Sequence, residues 1–145
     1  MKRAIFPGTF DPFTIGHYDI VCRALSLFDE IIIAIGINSN KQCLFSVEER
    51  INNIRHAFEN EPKVIVETYD CLTVDFAEQQ NAQFILRGIR SVKDFEYERE
   101  LAGINRRLSG IETILLYSAP EYSSVSSSMV RELHRFGKPT NEFTI

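Results

Sequence analysis

The sequence has no tryptophan and only two methionines, and its three cysteines, Cys22, Cys43 and Cys71, stand far apart with no C-x-x-C pair among them. That spacing points to neither a disulfide framework nor a thiol-held zinc site, but to a chain kept reduced. The three histidines, His17, His56 and His134, are as scattered, so no metal-ligand spacing exists and no metal residue is assigned. Long apolar runs are missing too. None approaches the ~20 residues needed to cross a bilayer, and the run at the N-terminus is cut short by Pro7-Gly8, too early for a signal peptide. Nor is there a basic excess: the net charge is −4, which argues against a nucleic-acid partner held by a basic surface. These absences leave a cytoplasmic protein, without membrane or nucleic-acid partner, as the expectation.

What is present is a chain of 145 residues, 44% hydrophobic, long enough for one domain with a sizeable core over residues 1–145. Short apolar runs alternate with helical patterns. Strands are expected at Arg3–Phe6, Glu30–Gly36, Lys63–Glu67, Gln83–Leu86 and Glu112–Tyr117. Ile31-Ile32-Ile33-Ala34-Ile35 is apolar without alternation, as in a parallel strand covered on both faces. Helices are expected at Gly16–Phe28, Val47–Asn60, Thr73–Gln80, Val92–Leu108 and Ser127–Phe136. Ser46 and Glu49 have the spacing of a capping box, and Cys22 falls on the apolar face of the first helix, as a core residue would. The pattern predicts an α/β fold: a single Rossmann-like domain whose five-stranded parallel sheet carries helices on both faces.

In such a sheet all strand carboxyl ends share one edge, and ligands bind there. The richest segment at that edge is Pro7-Gly8-Thr9-Phe10-Asp11-Pro12-Phe13-Thr14-Ile15-Gly16-His17, between the first strand and the first helix. Helix N-termini bind phosphate through free N–H groups. Gly8 and Gly16 would let phosphate oxygens approach the backbone, and His17 in the first turn would reach them. Thr9 offers a hydroxyl, while Asp11, before Pro12, fits an Asx-type loop bond better than catalysis. Lys41 follows the second strand, after Asn38-Ser39-Asn40. Arg87-Gly88-Ile89-Arg90 follows the fourth, where a buried Arg87 charge needs an anion to pair with it and Gly88 permits a tight turn over a ligand. Ser123-Ser124-Val125-Ser126-Ser127-Ser128 opens the last helix, with Arg131 one turn on. Asp94, Glu96, Glu98, Arg99 and Glu100 read as a solvated helix face.

Taken together, Gly8 to His17 and Ser126-Ser127-Ser128-Met129-Val130-Arg131 resemble the two marks of the nucleotidylyltransferase superfamily, G-x-F-D-x-x-[HT]-x-G-H and S-S-[ST]-x-x-R. Pro7 before Gly8, Thr14 before His17, Arg87-Gly88-Ile89-Arg90 and Asp94-Phe95-Glu96-Tyr97-Glu98 narrow the likeness to the bacterial phosphopantetheine adenylyltransferases, from Arg3 to about Phe136. The resemblance implies transfer of AMP from ATP to 4′-phosphopantetheine, with magnesium accompanying the nucleotide and six copies of the chain in a homohexamer. It implies that His17 is catalytic and touches the ATP phosphates, that Thr9 lies between the substrates, and that Phe10 meets ATP through its backbone. It places Gly88, Ile89, Arg90, Glu98, Tyr122, Ser123, Ser124, Val125, Ser126, Ser127 and Ser128 around ATP. Lys41 and Arg87 would hold the acceptor phosphate, and Leu72 with Thr73 the pantetheine arm.

Thr73 stands where many members have an apolar residue, Cys71 where an acidic or small one is usual, and no final helix follows Phe143-Thr144-Ile145. Two other readings remain beside this one: a sister transferase using CTP or another acceptor, and a nucleotide-binding regulator without turnover.

Overall fold

The computed structural model describes residues 1–145. Its spine is a parallel sheet of β1 (Arg3–Gly8), β2 (Glu30–Gly36), β3 (Val64–Tyr69), β4 (Phe84–Ile89) and β5 (Glu112–Tyr117), in the order β3-β2-β1-β4-β5. Period-two alternation divides the strand residues between two cores. Ala4, Phe6, Ile31, Ile33 and Ile35 face one side, where α1 (Ile15–Ala24) and α2 (Val47–Ala57) bring Ile20, Val21, Ala24 and Ile54. Ile5, Ile32, Ala34 and Ile85 face the other, against Val74, Phe76 and Ala77 of α3 (Thr73–Gln79). The long α4 (Val92–Ser109) packs beside α3 on that face, and α5 (Ser127–Arg135) closes the described fold after a short 3-10 turn at Pro120–Tyr122. The expected Rossmann-like sheet, with helices on both faces, is the observed one.

Strand order reverses at β1, whose neighbours are β2 and β4, so the crevice beyond these two strand ends is the topological switch point. β1 pairs with β2 along its whole length, from Arg3–Glu30 to Gly8–Ile35. With β4 it pairs only at Ala4–Phe84 and Ile5–Ile85. The two central strands therefore lose their ladder just where their carboxyl ends reach the crevice.

Four expectations differ from the structure: the ends of β1, β4 and α1, and the place of Cys22. β1 runs on through Pro7-Gly8 and β4 through Arg87-Gly88-Ile89, segments expected to lie after the strands. A proline fits in this central strand because Pro7 O accepts from Arg87 Nη1 (2.6 Å). In a strand, a residue's N and O face the same side, so the missing donor of Pro7 faces β4 beyond the last β1–β4 pair, where no ladder bond is lost. α1 ends at Ala24 rather than Phe28, in a turn where Leu27 N–H donates to Ala24 O (2.9 Å). Its buried stripe is Ile20, Val21 and Ala24, which leaves Cys22 exposed and outside the core.

The glycines act through packing. A Cβ on Gly8 would lie 2.8 Å from the Phe10 ring, and one on Gly88 would lie 3.1 Å from Ile20 Cγ1. Gly8 thus lets Phe10 fold over the strand end, and a side chain at Gly88 would press on Ile20 of α1. The Ser46 hydroxyl accepts from Glu49 N–H (3.1 Å), but the Glu49 carboxylate meets that hydroxyl (3.3 Å) and not the Ser46 N–H, so the capping box is only half formed.

Candidate active site

A full capping box forms instead at the start of α1. Thr14 Oγ1 accepts from His17 N–H (3.3 Å), and His17 Nδ1 accepts from Thr14 N–H (3.0 Å). Because Nδ1 accepts, the neutral ring carries its proton on Nε2, which makes no hydrogen bond within the chain. Phe10 and Phe13 pack on the imidazole, with ring centroids 5.1 and 5.3 Å away, and Phe6 lies behind at 6.2 Å. Phe10 reaches this place from a left-handed backbone conformation (φ 53°), and it is buried. Burial first, and then the positive charges of Arg87 and Arg90, lower the His17 pKa from 6.5 to about 3. The site thus presents a neutral, oriented N–H donor near neutral pH.

That shift has a measurable sign. The folded value lies below the unfolded one, so the unfolded chain takes up the proton first as pH falls. The stability associated with neutral His17 is fully present above pH 6.5 and declines, by up to about 1.4 kcal/mol per pH unit, as pH drops from 6.5 toward 3. NMR titration of the ligand-free protein should find the His17 ring unprotonated at pH 5. A midpoint near 6.5 would show that the aromatic enclosure and the arginines do not act on it.

His17 opens into a cavity of about 400 Å³ at the switch point, lined also by Thr9, Phe10, Arg90, Asp94, Tyr97, Tyr122 and Val125 to Ser128. A second lobe of about 800 Å³ extends toward β2 and β3 along Asn38, Cys71, Leu72, Thr73, Leu101 and Asn105. Pro7, Gly8, Thr9, Lys41, Arg87 and Glu98 line both lobes and form the neck between them. At that neck Lys41 Nζ donates to Thr9 Oγ1 (3.2 Å).

Arg87 is not the solitary charge that the sequence suggested. Its Nε lies 2.7 Å from Glu98 Oε2 and its Nη2 2.9 Å from Glu98 Oε1, a bidentate pair, while Nη1 binds Pro7 O. The Glu98 side chain is 5% exposed and that of Arg87 31%. Arg87 therefore has a protein anion as its partner, yet two of its five N–H groups stay unengaged at the neck. Glu98 belongs to α4, whose acidic residues read as a solvated face. It is instead buried in the cleft floor.

The serine segment docks on the histidine loop. Ser127 Oγ donates to Pro12 O (2.7 Å), Arg131 Nη1 donates to Asp11 O (2.8 Å), and Ser126 caps α5 by accepting from Met129 N–H (3.1 Å). Ser126 to Ser128, the start of α5, thereby face His17 across the first lobe. Ile15 N–H, at the start of α1, is taken by Phe143 O (2.9 Å).

Among the residues singled out from sequence, Thr9, Phe10, His17, Lys41, Arg87, Gly88, Arg90, Glu98, Tyr122, Val125, Ser126, Ser127 and Ser128 line the first lobe, and Leu72 and Thr73 the second. Ile89 is buried within β4, and Ser123 Oγ turns back to Pro120 O (3.0 Å). Ile89, Ser123 and Ser124 line neither lobe. Asp11 makes no Asx turn: its carboxylate accepts from Leu44 N–H and Phe45 N–H (2.8 Å each), tying the loop to the segment before α2. Residues that sequence reasoning passed over are Asp94 and Tyr97 at the wall of the first lobe and the buried Arg50 below Thr9. The helix-start position of Asp94, next to Arg90, was the available signal. Arg50 gave none.

Residues 5–133 match the cytidylyltransferase-like family model. The chain is 59% identical over 143 residues to the phosphopantetheine adenylyltransferase of Bacteroides fragilis, covering 99% of this chain and 95% of that one. It is 54% identical to the phosphopantetheine adenylyltransferase of Flavobacterium johnsoniae (94% and 90% covered) and 53% identical to that of Porphyromonas gingivalis (99% and 95% covered). Among solved structures, a bifunctional NMN adenylyltransferase/ADP ribose pyrophosphatase from Francisella tularensis, in complex with AMP and a manganese ion, superposes with a TM-score of 0.69 at 17% identity. That match covers 99% of this chain and 44% of the other. A lipopolysaccharide core biosynthesis protein from Thermoplasma volcanium gives 0.58 at 20% identity, with 82% and 97% covered. These two structural likenesses concern the fold.

Proposed function

The chain belongs to the cytidylyltransferase-like family and, within it, to the phosphopantetheine adenylyltransferases, and we propose that its two-lobed cleft joins ATP to 4′-phosphopantetheine at the neck formed by Thr9, Lys41 and Arg87. The products are dephospho-coenzyme A and pyrophosphate. The observation that carries this reading is the shared neck: two cavities of different lining meet at one cationic, hydroxyl-bearing point.

ATP fills the lobe of His17, Arg90 and the α5 start, and the pantetheine arm fills the lobe of Leu72 and Thr73. A phosphate oxygen of the acceptor attacks the α-phosphorus of ATP in line. The bond from that phosphorus to its bridging oxygen breaks, and pyrophosphate leaves with the electron pair. No side-chain nucleophile is needed, because the attacking phosphate is already an anion. Catalysis is then positioning and charge stabilisation. His17 donates its Nε2–H to the α-phosphoryl oxygen as negative charge gathers there. Lys41 and the two free N–H groups of Arg87 hold the acceptor phosphate. Glu98 keeps the Arg87 fork in place.

The chain has no group of three or more acidic, histidine or cysteine side chains that could hold a metal ion, and Asp94 and Glu98 are each engaged by an arginine. Magnesium is therefore assigned to the nucleotide, entering as the counter-ion of the ATP phosphates. Assembly into a hexamer is supported by apolar side chains standing exposed on α4, Val92, Ile104 and Leu108 among them. A cytoplasmic setting is supported by three free cysteines and by the lack of any helix long and apolar enough to cross a membrane.

The test is pyrophosphate release. The protein incubated with ATP, magnesium and 4′-phosphopantetheine should release pyrophosphate, and replacing ATP by CTP or the acceptor by nicotinamide mononucleotide should not support release. Turnover only with one of the replacement pairs would overturn the assignment. So would nucleotide binding without turnover.

A further inference from the structure

Arg50 is 5% exposed, yet no carboxylate pairs with it. Its Nη1 donates to Thr9 O (2.8 Å) and its Nε to Ser46 O (3.4 Å). A buried guanidinium held only by main-chain carbonyls is costly, and it persists where the geometry it enforces is needed. Opposite it, Asp11 is buried to 2% exposure and binds the Leu44 and Phe45 amides. The two segments thus clasp reciprocally: the carboxylate of one grips the backbone of the other, whose guanidinium grips back. The loop that carries Lys41 runs directly into the first of these grips, and Lys41 Nζ rests on Thr9 Oγ1.

We propose that Arg50 is a positioning residue for the acceptor phosphate: by holding Thr9 O it fixes Thr9 and the Lys41 loop in register across the neck, without touching either substrate. The proposal rests on the reading of the neck given above. It separates the two substrates: Thr9 and Lys41 line both lobes where they meet, but the first lobe keeps His17, Arg90 and the α5 start, none of which Arg50 holds, whereas the acceptor phosphate depends on the neck.

Two measurements on Arg50→Gln test it. The KM for 4′-phosphopantetheine should rise about tenfold or more while the KM for ATP changes less than about twofold, as a displaced acceptor site requires. Limited trypsin digestion without substrates should cut the Lys41–Gln42 bond about tenfold faster than in the parent, measured against cleavage after Arg135, because an unclasped loop opens locally. Arg50→Lys, which keeps the charge but not the fork, should fall between the two, and it is the variant to read if the glutamine form does not fold. An equal rise in both KM values, a fall in kcat alone, or unchanged cleavage at Lys41 would overturn the proposal. If the parent protein transfers nothing to 4′-phosphopantetheine, the functional reading fails instead, and the trypsin comparison alone still decides whether the clasp exists.

Discussion

Replacing His17 by alanine should lower kcat by about 10²–10⁴ and leave both KM values within a fewfold of the parent. Thr14 N–H occupies Nδ1, which fixes both the tautomer and the plane of the ring. Phe10 and Phe13 pack against the ring and restrict its movement. The Nε2–H donor is thus set before ATP arrives and needs no reorganisation when charge builds on the α-phosphoryl oxygen, the condition under which one hydrogen bond contributes most to a transition state. In the proposed reading, ground-state binding of ATP draws on more numerous groups, Arg90 and the N-terminal amides of α5 among them, so KM should move little. Single-turnover measurement separates the chemical step from product release. Turnover within about tenfold of the parent would remove His17 from catalysis. Loss of the ring also removes half of the α1 cap, at a cost of about 1 kcal/mol, so thermal stability should fall slightly while activity falls greatly.

The same residues show which parts of the molecule could be read from sequence. Unbroken apolar runs such as Ile31–Ile35 declare a parallel strand covered on both faces, and the observed β2 has the expected bounds. Strand ends were harder, because Pro7-Gly8 and Arg87-Gly88 carry turn chemistry and yet continue their strands. Pairing with the outer neighbours carries them on, β1 along β2 and β4 along β5, and Pro7 is tolerated where the β1–β4 ladder has ended, all tertiary facts. The helix-start candidates were visible because caps and phosphate sites use neighbours in sequence. Pairings across 11, 33 and 41 positions, those of Arg87 with Glu98, Asp11 with Leu44 and Arg50 with Thr9, leave no local trace. An arginine at the end of β4 does need an anion, and the anion is a side chain on a helix whose charge pattern is that of a solvated face.

In the proposed reading Arg87 serves two functions that can be separated, pairing with Glu98 and holding the acceptor phosphate, and Arg87→Ala should damage both. Loss of charge-assisted donors to the acceptor phosphate should raise the KM for 4′-phosphopantetheine roughly 10- to 100-fold, taking about 1.5–3 kcal/mol for hydrogen bonds to a charged group, with little change for ATP. Loss of its partner leaves the Glu98 carboxylate buried and unpaired. Removing one member of a buried pair typically costs 3–5 kcal/mol, and the 31% exposure of the Arg87 side chain lets water reach the site and lowers the penalty to about 2–3 kcal/mol. For a chain of this size that is a fall in Tm of about 5–10 °C. Adding Glu98→Gln, with Arg87→Met in place of alanine, removes the stranded charge and fills the space. The double variant should recover most of the Tm and none of the acceptor affinity. Calorimetric titration with 4′-phosphopantetheine and with a non-hydrolysable ATP analogue, alongside thermal melts, resolves the two functions. Intact acceptor affinity with lost ATP affinity would reverse the assignment of the lobes, and acceptor affinity returning together with Tm in the double variant would reduce Arg87 to a structural partner of Glu98.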